Sequence, residues 1–116
     1  MKKSKKLVGM MGEEIACKFL KSKGYLILER NFSCKHGELD IIAYKSQELV
    51  IVEVKTRKND SYLYACQAVT DKKVKNIKMA THEFLSLNSY YDLNYRFDII
   101  ECYWQTRKIR HIIDAF

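Results

Sequence analysis

The sequence predicts an α/β fold, bordering on α+β: a mixed five-stranded sheet flanked by two helices in the order αβββαββ. Three observations predict it. Two stretches, one from Leu7 to Lys23 and one beginning at Asp71, repeat apolar residues at helical spacing. Five shorter stretches rich in Val, Ile, Leu and Tyr run over strand lengths. Polar or glycine-containing breaks separate them, and helices interspersed with strands pack as layers around one core. At 116 residues and 47% hydrophobic content, the chain reads as a single domain over 1–116, without repeats or low-complexity tracts.

The elements follow in order. Residues 1–6, with Lys2-Lys3-Ser4-Lys5-Lys6, read as a flexible basic arm. In the first helix Val8, Met11, Ile15 and Phe19 form one stripe, widened by Gly12, Ala16 and Leu20, and Gly24 is a natural stop. Glu13 falls at the edge of this buried face, whereas Glu14 falls beside Lys18 on the wet face as an i,i+4 pair. Tyr25 to Phe32 reads as a strand and Ser33 to Gly37 as a turn. A hairpin follows, its second strand running to Arg57. A polar connection from Lys58 to Val69 leads to the second helix, with Thr70 as N-cap, Asp71 in the first turn and a buried stripe of Val74, Ile77, Thr81, Phe84 and Leu85. Tyr95 to Trp104 and Lys108 to Ile113 are the last two strands, joined by a turn at Gln105 and Thr106.

The hairpin "GELDIIAYKSQELVIVEVK", Gly37 to Lys55, carries charges that its fold does not require. Side chains alternate faces along a strand. Val50, Val52 and Val54 therefore share one face with Leu39, Ile41 and Ala43 of the preceding strand. Glu53 and Lys55 share the other with Glu38, Asp40 and Ile42. Keeping the apolar faces together requires paired residue numbers with an odd sum, and a turn centred on Ser46 and Gln47 makes that sum 93. Asp40 then stands opposite Glu53, Glu38 opposite Lys55, and Ile42 opposite Ile51. Ser-Gln is a poor two-residue turn, so a four-residue loop from Lys45 to Glu48 in the same register is expected. Two carboxylates across one strand pair repel. A divalent cation such as Mg²⁺ or Mn²⁺, which prefers carboxylate oxygens, would reverse the sign of that interaction.

Composition narrows the partners. The net charge of +7 suits a polyanion, and the basic residues cluster at Lys2–Lys6, Lys55–Lys58, Lys72–Lys78 and Arg107–Arg110. One cluster directly follows the acidic pair, which favours nucleic acid. Lys72, Lys75 and Lys78 equally form the solvated face of a helix. The four cysteines (Cys17, Cys34, Cys66, Cys102) lack metal-ligand spacing, which argues against zinc. His36, His82 and His111 suggest no site, no Ser-His-Asp or Cys-His arrangement is legible, and four glycines make no phosphate loop. Tyr62, Tyr64, Tyr90, Tyr91 and Tyr95 suit core or boundary positions better than base stacking. No signal-like or membrane-spanning segment is present, so a cytoplasmic location with reduced thiols is expected.

Asp40 followed thirteen residues later by Glu53-Val54-Lys55 resembles the core motif of the restriction-endonuclease-like superfamily, written PD-(D/E)XK. The flanking segments are more specific. "GEEIACKFLKSKGYLILERNF", "GELDIIA", "VIVEVKTR", "AVTDKK", "RFDII" and "HIIDAF" together resemble the YraN-like family of small bacterial proteins, from Gly9 to Phe116. Archaeal Holliday junction resolvases are a more distant likeness. The resemblance implies a restriction-endonuclease-like core and metal-dependent phosphodiester chemistry, with Glu13, Asp40, Glu53 and Lys55 as catalytic residues. It implies Mg²⁺ or Mn²⁺ held by Asp40 and Glu53, with Glu13 acting directly or through water, and the Val54 carbonyl and waters completing the shell. Lys73 matches a basic position at the start of the second helix and, with Lys58, Lys72 and Lys75, would contact nucleic acid. Leu63 and Gln67 depart from the Gly and Glu common in such sequences. Expected partners are nucleic acid, DNA foremost, and a second copy of the chain in a homodimer, with no membrane. The function expected is an endonuclease on structured or branched DNA; the alternative is a nucleic-acid-binding module on a nuclease-like scaffold. A structural adaptor would explain the charge but not the acidic pair.

Overall fold

The computed structural model describes residues 5–58, 69–90 and 92–116, the side chains of residues 5 and 6 excepted. Its order is α1 (Lys5–Ser22), β1 (Leu26–Cys34), β2 (Gly37–Lys45), β3 (Glu48–Arg57), α2 (Asp71–Asn88), β4 (Asn94–Tyr103) and β5 (Lys108–Ile112). This is the expected αβββαββ sequence. The five strands form one mixed sheet in the order β1-β2-β3-β4-β5. All neighbours are antiparallel except β3 and β4, which run parallel from Glu48↔Asn94 to Arg57↔Tyr103. The connection containing α2 makes that crossover, as a parallel pair requires. The expected residues Tyr62, Leu63, Tyr64, Cys66, Gln67 and Tyr91 lie outside the described residues, as do the first four of the basic arm. Lys5 and Lys6 belong to α1.

The helices cover opposite faces. Ala16, Cys17 and Leu20 of α1 pack on Ile41, Ala43, Val50, Val52, Ile100 and Cys102. Ile77, Ala80, Phe84 and Leu85 of α2 pack on Leu39, Ile42, Leu49, Ile51 and Phe97. Thus β3 is buried at every position from Leu49 to Glu53. Among the described residues no helix is long and apolar enough to cross a membrane.

Both helix ends follow their sequence signals. Gly24 takes φ +89° and the Tyr25 N–H donates to the Leu20 carbonyl, closing α1 with a left-handed cap. The Lys73 N–H donates to Thr70 Oγ1 (3.2 Å), the expected N-cap of α2. The buried face of α1 is rotated from the expected stripe, however. Gly12, Ala16, Cys17 and Leu20 are buried, whereas Met11 and Ile15 remain 38% and 37% exposed. The cause is Gly12, which lies so close to β3 that an added Cβ would collide with Thr56 Oγ1. Gly12→Ala should therefore cost about 1–3 kcal/mol by overpacking. Adding Thr56→Ala should recover most of it, as urea unfolding of the single and double variants would show.

Two loops also differ from expectation. Lys45 pairs directly with Glu48, so the hairpin turn has two residues, with Ser46 and Gln47 at φ +53° and +63°. A tight turn with both central residues left-handed matches strand twist, and that match prevails over the poor intrinsic preference of Ser and Gln. The sum of 93 is retained from Lys45↔Glu48 to Ile41↔Val52. At the other end, Cys34 pairs with Gly37, so β1 extends two residues past Phe32 and the Ser33–Gly37 turn shortens.

Candidate active site

The site lies where the β2–β3 ladder stops. Beyond Ile41↔Val52 the Val54 N–H donates to Asp40 Oδ2 (2.8 Å), so a side-chain carboxylate replaces a backbone partner. On the other side, Asn31 of β1 takes φ +54° between the pairs Arg30↔Ile41 and Phe32↔Leu39. The face alternation slips here. Leu39 and Phe32 pack with the α2 cluster, not with Ile41 and Ala43 as expected. Asp40 sits at this irregularity and remains partly exposed, while Glu53 is only 6% exposed.

Asp40 and Glu53 meet, their carboxyl groups hydrogen-bonded to each other. Burial first, then that hydrogen bond and the Asp40 charge, push the Glu53 carboxyl up to about 8. Lys73, projecting from the first turn of α2, brings Nζ to 3.4 Å from Glu53 Oε1. Burial lowers its pKa, but Glu53 and its other neighbours outweigh that and raise it. Lys55 lies on the same side of the sheet, next to Lys73. Burial and then the Lys73 ammonium hold its pKa below the usual lysine value. Asp40, Glu53, Lys55 and Lys73 thus form one cluster, with Lys73 paired to an acid rather than standing with the exposed Lys72 and Lys75.

Glu13 approaches from α1, hydrogen-bonded to Asn31, and its carboxyl is raised by burial and by Asp40. Among the described residues, however, no three His, Cys, Asp or Glu side chains group closely enough to hold a metal ion. The carboxyl pair is the centre and Glu13 its neighbour. Glu14 pairs with Arg30 at 2.9 Å, not chiefly with Lys18. Glu38 is exposed in β2 against Ser33, and the ladder does not carry it to Lys55. Lys55 instead stands in register with Glu101 of β4, which is fully buried and accepts from Tyr103 Oη (2.6 Å). Lys58 is exposed just beyond β3, its carbonyl accepting from the Gln105 N–H.

A cleft of about 320 Å³ opens beside the cluster, lined by His36, Glu38, Thr70, Lys72, Lys73 and Asn76. Neither His36 nor Asn76 was legible as a cleft residue, because the β1–β2 turn and α2 meet only in the fold. A second polar centre was also missed. Asp98, fully buried, accepts from Arg96 Nε (2.9 Å) and the Asp114 N–H (3.0 Å) and meets His111 Nε2 at 2.7 Å. Burial raises its carboxyl pKa, but His111, Arg96 and Asp114 together lower it. Arg96 also reaches Glu48 and Tyr25, and Phe116 stacks on Phe97 at 5.2 Å, so this network fastens the C-terminal segment. Its only sequence signal was an acid and a base two apart in "RFDII".

Comparison with known proteins agrees with the motif reading. The model of the uncharacterised protein family UPF0102 matches residues 12–102. A UPF0102 protein of Caldanaerobacter subterraneus subsp. tengcongensis is 41% identical, with both chains covered in full. Another, from Clostridioides difficile, is 42% identical over 93% of this chain and 95% of its own. A third, from Pelobacter propionicus, is 48% identical over 93% and 81%. Among solved structures, a repair endonuclease from Pyrococcus abyssi is similar over 89% of this chain at 18% identity and a TM-score of 0.46. This chain spans only 40% of that one. The relatives match along nearly the whole chain, through the helix of Glu13, the hairpin of Asp40 and Glu53 and the strand of Asp98, and the protein belongs to the uncharacterised family UPF0102, the YraN-like family that its motifs resemble.

Proposed function

We propose that this protein is a Mg²⁺- or Mn²⁺-dependent endonuclease that hydrolyses phosphodiester bonds in structured or branched DNA. The observation that carries this reading is the Asp40–Glu53 carboxyl pair, with Glu53 buried, flanked by two lysines. Fold stability has no use for two carboxyl groups set together at the end of a ladder, and burial and Asp40 hold the Glu53 carboxyl up to about 8 even with Lys73 beside it. The donors are hard carboxylate oxygens, which fit Mg²⁺ or Mn²⁺ and disfavour zinc's usual ligand sets. Asp40 and Glu53 would hold the cation, with Glu13 reaching it through water.

When bound, such a cation polarises the scissile phosphate and lowers the pKa of water. The protein does the rest. The Val54 N–H fixes the Asp40 carboxylate, so one ligand is oriented before substrate arrives. Lys55, half-buried and next to Lys73, donates to the non-bridging phosphate oxygens as negative charge grows on them. Lys58, Lys72 and Lys75 are exposed and attract the flanking backbone.

The test is purified protein with Mg²⁺, Mn²⁺ or EDTA against labelled duplex, single-stranded, flap and four-way-junction DNA, and matched RNA. Cation-dependent cuts in flap or junction DNA are expected, with none in EDTA. Binding without cutting under either cation would leave a nucleic-acid-binding module. No binding at low salt would remove both readings.

A further inference from the structure

We propose that Lys73 is an internal counter-ion standing in for the divalent cation, and that it turns into the adjoining cleft to hold a substrate phosphate once the carboxyl pair takes a cation. This rests on the reading of Asp40 and Glu53 as a cation site. Two features define it. Lys73 Nζ lies 3.4 Å from Glu53 Oε1, and the same side chain lines the cleft of about 320 Å³ with His36, Glu38, Thr70, Lys72 and Asn76. The lysine is poised between two places. Its side chain is 43% exposed, against 7% for Glu53, so it has room to move while the acid does not.

The physical reason is competition for one charge. Without a cation, the Lys73 ammonium is the nearest positive group to Glu53, and its attraction offsets part of the acid's burial. A dication on the same carboxylate neutralises more than that attraction and repels the ammonium at short range. Lys73 then gains more by donating to a phosphate oxygen beside Lys72 than by staying. Cation and nucleic acid become coupled ligands. Each raises the affinity for the other, and Lys73 carries the coupling. Lys72 lines the same cleft but is not paired with Glu53, so it should strengthen binding with or without a cation.

The experiment uses the full chain with Lys73→Met, and with Lys72→Met as the contrast. The helix cap is spared in both, because Thr70 Oγ1 accepts from the backbone of Lys73. Calorimetric titration with Mn²⁺ alone should give about tenfold tighter binding in Lys73→Met than in wild type. Anisotropy of a labelled four-way junction, in Ca²⁺ or EDTA at matched ionic strength, should show several-fold tighter binding by wild type in Ca²⁺. That gain should vanish in Lys73→Met and persist in Lys72→Met, whose affinity drops equally in both buffers. Equal or weaker Mn²⁺ affinity in Lys73→Met, or an undiminished Ca²⁺ gain, overturns the counter-ion role while leaving the cation site standing. Absence of Mn²⁺ binding in wild type and variant alike overturns the cation site itself, and this role with it.

Discussion

Asp40→Asn is expected to abolish the proposed binding of Mn²⁺ and Mg²⁺ and, with it, cleavage, while the chain still folds. The variant amide keeps an oxygen for the Val54 N–H, so the ladder end is preserved. It removes the charge next to Glu53. In the cation-free wild type the Glu53 carboxyl is raised from 4.5 to about 8 by burial and by Asp40. The folded protein then holds a proton that the unfolded chain has released. Stability therefore falls as pH rises between about 4.5 and 8, by up to about 1.4 kcal/mol per pH unit. Asp40→Asn leaves burial in place but removes the repulsion, so the fall should end at a lower pH and the average slope across this window should become shallower. Urea midpoints in EDTA across that window measure the slope, and calorimetry measures the cation. Retained Mn²⁺ affinity in Asp40→Asn would refute the site. An unchanged slope would show that burial alone sets Glu53.

On the proposed mechanism, Lys55→Ala should lower cleavage by about 10²–10³-fold or more, while affinity for the same DNA should fall less than about threefold. Lys55 is one of 21 basic residues, so its share of the long-range attraction is small. Its place beside the carboxyl pair is what the proposed chemistry would use. Charge reversal at Lys72 and Lys75 does the opposite. Both are exposed on α2, and removing a lysine from a phosphate reduces the slope of log K against log salt by about 1. Filter binding across a salt series, with single-turnover cleavage alongside, separates the two classes. A Lys55→Ala protein that cuts at the wild-type rate would remove the lysine from the chemistry and favour the binding-module reading.

Much was legible without coordinates because the governing forces are local. Periodicity placed both helices and all five strands, since an amphipathic segment must turn one face inward whatever covers it. Thr70 and Gly24 marked helix ends because caps are satisfied within a few residues. The hairpin register followed from parity together with a turn centred on Ser46 and Gln47, because a slip by one residue would expose an apolar face. The choice of Asp40, Glu53 and Lys55 as one constellation rests on that register, and the structure brings the three together.

What the tertiary structure decided is how elements far apart in sequence meet. Parity put Leu39 with Ile41, but the irregularity at Asn31 and Asp40 moves Leu39 to the α2 side. The helical wheel centred α1 on Met11 and Ile15, but the missing Cβ of Gly12 lets the helix settle at Thr56 and turns those residues outward. Lys73 read as a basic position at the start of the second helix that would contact nucleic acid, yet α2 sets it against Glu53. Asp98 and His111 had no spacing to link them, and the β4–β5 pairing joins them in a buried network. The sequence thus determined which residues carry charge and, except at Leu39 and along α1, which face of an element each occupies. Only the packing of α2 over β3 decided that Glu53 would be buried, raised and paired with a lysine, because desolvation depends on what covers a group, and no single segment contains its own cover.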